Sequence, residues 1–159
     1  MSKLKVGFFS FTCCEGCIIS FVEVLNQKFD EYTKKIDFKY IRMLKPSPEK
    51  VLDLDIAFVE GAISNKDELK KLKEIRKNSR KLVAIGSGAI NGWPSNLSND
   101  FNSKIKKIIE PKLKGLKPLK KIIPLHKCIK VDDDVPGCPV EEKLFIEKID
   151  FYIKEFENA

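Results

Sequence analysis

Five cysteines are the residues whose type and spacing could do chemistry: Cys13, Cys14, Cys17, Cys128 and Cys138. Three of them fall within the run Cys13-Cys14-Glu15-Gly16-Cys17. Thiolates crowded this way repel one another unless something positive is bound between them, and a metal or a cluster does that. The count is odd, and the opening MSKLKVGFF runs straight into a strand-like pattern with no leader signature. Both features argue against a disulfide framework. A Cys-x-x-Cys hairpin followed far downstream by Gly137-Cys138-Pro139 is iron–sulfur spacing, because a Cys-Pro ending recurs in such runs. Two rival chemistries use the same residues. A structural zinc could take Cys14, Cys17, Cys128 and Cys138 as its four ligands. A thioredoxin-type pair would use a Cys-x-x-Cys after a strand, with no need for Cys138 or Cys13. Taken singly, Cys13 and Cys128 also read as buried structural thiols.

Elements of alternating type must position these residues. Lys5 to Phe9 reads as a buried strand, and the cysteine loop follows it. Ile18 to Tyr32 has helical apolar spacing, and Ile36 to Ile41 reads as a second strand. Asp55 to Glu60 is a third strand, ending at Glu60-Gly61. Asn65 then caps a charged helix that reaches about Asn78. Lys81 to Gly86 is a fourth strand, ending in a Gly-Ser-Gly loop. Ser103 to Ile109 is a short helix, 110–124 a Pro- and Lys-rich loop with a strand fragment, and Val140 to Phe156 a strong final helix. Strands alternating with helices predict a single α/β domain over 1–159, with a parallel sheet wrapped on both faces. In such sheets ligands bind outside the carboxyl ends of the strands. The loops at Cys13–Cys17, Glu60-Gly61, Gly86-Ser87-Gly88 and Pro136–Pro139 are therefore expected to converge on one edge.

Composition limits the partners. The 159 residues are 43% hydrophobic and carry a net charge of +7. A chain this long can bury one sizeable core unaided, and its mixed charge excludes a disordered polymer. No apolar run is long enough to span a bilayer, so a cytoplasmic location is expected. Basic residues cluster between Lys70 and Lys81 and again between Lys104 and Lys121. Each cluster reads either as a solvated face or as a docking surface for an acidic protein. Nucleic acid is not expected, because no nucleic-acid-binding module is visible.

The segments Phe11-Thr-Cys-Cys-Glu-Gly-Cys17, Asp55-Ile-Ala-Phe-Val-Glu-Gly-Ala-Ile63, Leu82-Val-Ala-Ile-Gly-Ser-Gly-Ala89 and Val131-Asp-Asp-Asp-Val-Pro-Gly-Cys-Pro139 occur in that order. Together they resemble the small subunit of nickel–iron hydrogenases and the related 20-kDa subunit of respiratory complex I. The resemblance implies a flavodoxin-like sheet without bound flavin. It also implies one proximal [4Fe–4S] cluster and an electron-transfer role beside a large catalytic subunit, where the hydrogen chemistry occurs. Further iron–sulfur or flavin subunits are implied as onward partners. The hydrogenase branch uses the cysteines matching Cys14 and Cys17. The complex I branch uses those matching Cys13 and Cys14 and has none at the place of Cys17. Having Cys17, the chain resembles the hydrogenase branch more, in its compact form. The complex I type, and a cluster- or zinc-stabilised assembly module without electron transfer, stand as alternatives.

One departure matters. The family has a cysteine ligand after the fourth strand where this chain has Gly88. Cys14, Cys17 and Cys138 then remain as matched ligands, Cys128 is the expected substitute, and Cys13 is the runner-up. The remaining possibility is a cluster held by three cysteines, open at one iron or reduced to [3Fe–4S], with Ser87 offering at best an oxygen. Glu60 would either relay protons and tune the cluster or cap the turn that follows it. His126 would be a ligand or a surface residue, and Trp93 and Pro94 would sit in a packed loop.

Overall fold

Apolar residues alternate along the central strands so that these feed two cores. The computed structural model describes residues 3–46, 50–51 and 53–158. In chain order the elements are β1 (Leu4–Ser10), α1 (Gly16–Lys35), β2 (Ile36–Ile41), β3 (Leu54–Glu60), β4 (Ile63–Asn65), α2 (Lys66–Lys77), β5 (Ser79–Ile85), α3 (Gly86–Asn91), α4 (Ser103–Leu113), β6 (Pro118–Ile123), β7 (Asp133–Val135) and α5 (Glu142–Glu157). Short 3₁₀ turns lie at Ser95–Asp100 and Leu125–Lys127. Five strands form one sheet in the order β2-β1-β3-β5-β7. Every pairing in it is parallel. β4 and β6 make a separate antiparallel ribbon.

Ile56 and Phe58 of β3 and Val83 and Ile85 of β5 pack under α1 and α5, against Phe21, Phe145 and Ile149. Ala57, Val59, Leu82 and Ala84 face the other way, onto Leu72 and Ile75 of α2 and Ala89 of α3. This two-residue period is what a sheet covered on both faces requires. Phe8 stacks on Phe21 and Phe58 with ring centroids 4.0 and 5.0 Å apart. The α/β architecture expected from the sequence, with helices on both faces, is the one observed.

Three local expectations change. Gly86-Ser87-Gly88 is not a loop but the first turn of α3, entered through Gly86 at φ 77°. In the Lys-rich stretch, α4 continues to Leu113 before β6 begins. β7 was not foreseen, because Asp133-Asp134-Val135 lacks strand-forming residues apart from its valine. It exists because its neighbours hold it. β7 pairs with β5 from Val83↔Asp133 to Ile85↔Val135, and the Asp133 carboxylate accepts from Lys148 Nζ (2.6 Å) and Tyr152 Oη (3.0 Å) on α5. The first basic cluster is largely ion-paired: Arg76 meets Asp132, Lys71 meets Glu74, Arg80 meets Asp55 and Lys81 meets Glu155.

Candidate functional site

Four of the five parallel strands end beside one cavity of about 350 Å³. Its walls hold Cys13, Cys14 and Cys17 from the loop after β1 and the start of α1. Glu60 and Gly61 come from the end of β3, Gly86 to Gly88 from the start of α3, and Cys138 from the loop after β7. This is the convergence expected at the carboxyl edge of the sheet.

The cysteine loop is fastened on two sides. Phe11 N donates to Glu60 O (2.9 Å), and Thr12 and Ala62 exchange backbone hydrogen bonds of 3.1 and 3.0 Å. Thr12 Oγ1 donates to Glu68 Oε1 (2.9 Å) and lies within hydrogen-bond distance of Ser64 Oγ (2.7 Å). Glu68 Oε2 also accepts from Ser64 N at 2.7 Å, while Glu68 N donates to the Asn65 side chain at 2.9 Å. Asn65 is the N-cap of α2, and the carboxylate three residues on reaches back past it to Ser64 N, a variant of the capping box. Here its carboxylate doubles as the anchor of the cysteine loop. Thr12 and Glu68 were missed as site-supporting residues. The Asn65-x-x-Glu68 spacing was the available signal.

Glu60 caps a helix, though not the turn after it. It is buried, 3% exposed, and its two carboxylate oxygens accept from Cys17 N and Ile18 N, each at 3.2 Å. These are donors of the first turn of α1, which has no side-chain cap of its own and no acidic residue there. A carboxylate from β3 therefore does the work of an N-cap for α1. Burial raises the Glu60 pKa above the usual carboxylate range, and the hydrogen bonds from Cys17 and Ile18 oppose that rise.

Burial also pushes the Cys13 and Cys17 thiols up to about 12, with the nearby Glu60 charge adding to the rise. Left alone, these two sulfurs are protonated. Only a strongly positive partner would hold them as thiolates. Gly86 lies against the Cys17 sulfur, because a Cβ built on it would stand 2.5 Å from Cys17 Sγ. Ser87 N and Oγ both donate to Gly137 O, at 2.8 and 3.2 Å, tying α3 to the Cys138 loop. Gly88 faces Gly61, with its would-be Cβ 3.3 Å from Gly61 Cα. Gly61 in turn faces Cys13, its would-be Cβ 3.0 Å from Cys13 Cβ. Cys13 and position 88 thus flank the same glycine.

The structure brings Cys13, Cys14, Cys17 and Cys138 together and leaves Cys128 outside. Cys128 follows the 3₁₀ turn Leu125–Lys127, packs against the core beneath α2, and directs its sulfur to Pro124 O at 3.7 Å. Burial raises its pKa, and Lys73 opposes this. His126 lines a different cavity, beside Asp132 to Asp134. Trp93 is not packed away but 48% exposed, and it forms the cavity wall with Pro94. Among the described residues, no three His, Cys, Asp or Glu side chains are gathered closely enough to hold a single ion. Also among the described residues, no helix is long and apolar enough to cross a membrane.

The family described as NADH ubiquinone oxidoreductase, 20 kDa subunit, matches residues 14–150, from Cys14 through Cys138 into α5. The chain belongs to this family. Relatives of this 20-kDa-type chain include the sulfhydrogenase 2 subunit delta of Pyrococcus furiosus, 28% identical over 153 residues, with 92% of this chain and 61% of that protein covered. The NAD-reducing hydrogenase HoxS subunit delta of Cupriavidus necator is 25% identical over 166 residues, with 93% and 78% covered. The chain spans about half the length of other relatives, such as 52% of an F420-non-reducing hydrogenase chain of Methanothermobacter thermautotrophicus, to which it is 25% identical. In fold, it is similar to a chain of an NAD⁺-reducing [NiFe]-hydrogenase, with a TM-score of 0.87 at 22% identity over 97% of this chain and 93% of that one.

Proposed function

We propose that this 20-kDa-type chain is an electron-transfer subunit of a hydrogenase-type oxidoreductase complex, with one [4Fe–4S] cluster in the cavity at the carboxyl edge of its sheet. One observation carries the reading: four cysteines from two segments far apart in sequence meet at a single glycine-walled cavity. The donor set fits the group. Soft thiolates suit an iron–sulfur cluster. The irons of a cubane sit at separate corners, so their sulfur ligands stand farther apart than those of one tetrahedral zinc. The four cysteines here line one cavity wall together. A cluster held there would supply one-electron redox capacity.

The ligands we propose are Cys14, Cys17, Cys138 and Cys13, with Cys13 taking the part first expected of Cys128. Cys13 shares its neighbour Gly61 with Gly88, where the family cysteine would stand, whereas Cys128 lies under α2. Glu60 orients Cys17 by fixing the first turn of α1. Gly86 leaves space for the Cys17 sulfur, and Ser87 fixes the Cys138 loop. The large catalytic subunit would approach over the cavity mouth, where Cys14, Cys138 and Trp93 are exposed. Onward iron–sulfur or flavin subunits would receive the electrons.

Iron and sulfide analysis of protein purified without oxygen tests this reading, together with spin-resonance spectra of the reduced form. Brown protein with about four irons per chain is expected. Cys14→Ala, Cys17→Ala and Cys138→Ala should each lose or degrade the cluster. Cys13→Ser should give a three-iron or depleted form, while Cys128→Ser keeps full iron. A colourless zinc protein would overturn the cluster, and full iron in Cys138→Ala would overturn the ligand set.

A further inference from the structure

Residues 104–121 hold eight lysines and one acid, Glu110. Their net +7 equals the net charge of the entire chain. The rest of the molecule is electrically balanced, so the whole charge asymmetry resides in α4, the turn after it and the first part of β6. Among the described residues Lys117 alone of these lysines is ion-paired, to Asp67 at 3.1 Å. The earlier basic cluster differs, since several of its cations meet carboxylates.

Among the described residues, α4 is also the one long helix that buries no residue. Ile105, Ile108, Ile109 and Leu113 fall at i, i+3, i+4 and i+8, on one side of it. Ile108 is 61% exposed, and Leu116 in the following turn 58%. An isolated helix this short is marginal in water, and an uncovered apolar stripe marks an interaction surface.

We propose that α4 and the turn following it form an in-plane docking element for an anionic membrane surface, with the isoleucine stripe at the acyl boundary and the lysines among the headgroups. Charge complementarity points to an anionic occupant. The side-chain types favour lipid over an acidic protein. Protein interfaces are depleted in Lys and enriched in Arg, Tyr and Trp, and residues 104–121 contain eight Lys and none of those three. Lysines flanking an aliphatic stripe are what interfacial helices use, because the long stem lies along the apolar region while the ammonium stays in the headgroup layer. The inference rests on the surface of α4 alone and not on the cluster.

Partitioning of the full chain onto lipid vesicles by co-sedimentation tests it, comparing neutral phosphatidylcholine with mixtures containing phosphatidylglycerol. Binding should require the anionic lipid and weaken as salt is raised. K104Q/K107Q/K112Q should lower partitioning on the order of a hundredfold, at about fivefold per lysine. I108S should lower it about tenfold. All four positions are exposed, and circular dichroism would verify folding. K70Q/K73Q/K77Q, which removes the same charge from α2, should bind like wild type. Three results would overturn the proposal: no partitioning by folded protein at low salt, equal loss in the α2 control, or binding to polyglutamate in place of vesicles.

Discussion

Replacing Glu60 by Gln keeps the shape of the side chain and removes half of its function. In the native chain its two oxygens accept from Cys17 N and Ile18 N at 3.2 Å each, in a setting where Glu60 is 3% exposed. Gln offers one oxygen, and its amide nitrogen must face the other backbone N–H, donor against donor. A buried donor left without a partner costs about 1–3 kcal/mol, and loss of an N-cap costs a similar ~0.5–2 kcal/mol. The two figures describe the same event and are not added, so about 2 kcal/mol is expected. For a chain of this size that lowers the melting temperature by about 4–8 °C. The assay is thermal unfolding of metal-free, reduced protein followed by circular dichroism. A second readout is the rate at which a thiol reagent labels Cys17, which is 5% exposed in the native fold. Labelling should accelerate in Glu60→Gln because fraying of the first turn of α1 uncovers that sulfur. Glu60→Ala should be worse on both measures, since neither donor keeps its acceptor. A Glu60→Gln protein that melts within 1 °C of wild type (well inside the roughly 2–4 °C expected per kcal/mol) and shields Cys17 equally well would refute the capping role.

Gly88→Cys should fold with a small local shift, because position 88 lies outside the left-handed region but a Cβ there stands a tight 3.3 Å from Gly61 Cα, which must give by a few tenths of an ångström. Combined with Cys13→Ser, it should restore the iron content that the single Cys13→Ser variant loses, and failure to do so would mean that position 88 does not face the cluster. Gly86→Ala should destabilise by about 2 kcal/mol or more, as measured by urea unfolding, because its Cβ would stand 2.5 Å from the Cys17 sulfur at φ +77°. Burial alone would raise the Asp132 pKa, but hydrogen bonds from Leu82 N and Arg76 outweigh it and leave the carboxyl below its ordinary value. The stability it contributes is therefore present above the unfolded-state pKa of about 3.9 and is lost as pH falls through the lower folded value. Denaturant titrations from pH 6 downward should show wild type losing this increment and Asp132→Asn lacking it throughout. Parallel slopes for the two proteins would count against the assignment.

Much of the sheet was legible because its signals are local. The alternation through Asp55-Ile-Ala-Phe-Val-Glu60 and Lys81-Leu-Val-Ala-Ile85 records two faces directly, and Asn65 announces the start of α2. β7 was not legible, because Asp133 and Asp134 have poor strand propensity and are held by β5, Lys148 and Tyr152. Three of the four converging loops could be named because each follows a legible strand and a parallel sheet delivers its carboxyl ends to one edge; the fourth, at Pro136–Pro139, follows the illegible β7. Distance along the chain and distance in space point to different substitutes for the missing ligand. Cys128 lies ten residues before Cys138, and that proximity made it the natural substitute for the cysteine absent at position 88. The intervening chain, however, first crosses beneath α2 and then turns into β7, which carries Cys138 to the cavity and leaves Cys128 in the opposite core. Cys13 is separated from Gly88 by seventy-five residues, yet both flank Gly61 at the end of β3. A ligand lost from one loop is most readily replaced from a loop that shares its neighbour in space. In a parallel sheet those neighbours are set by strand order, so the replacement for position 88 is to be sought after β1, two strands away, and not in the adjacent stretch of chain.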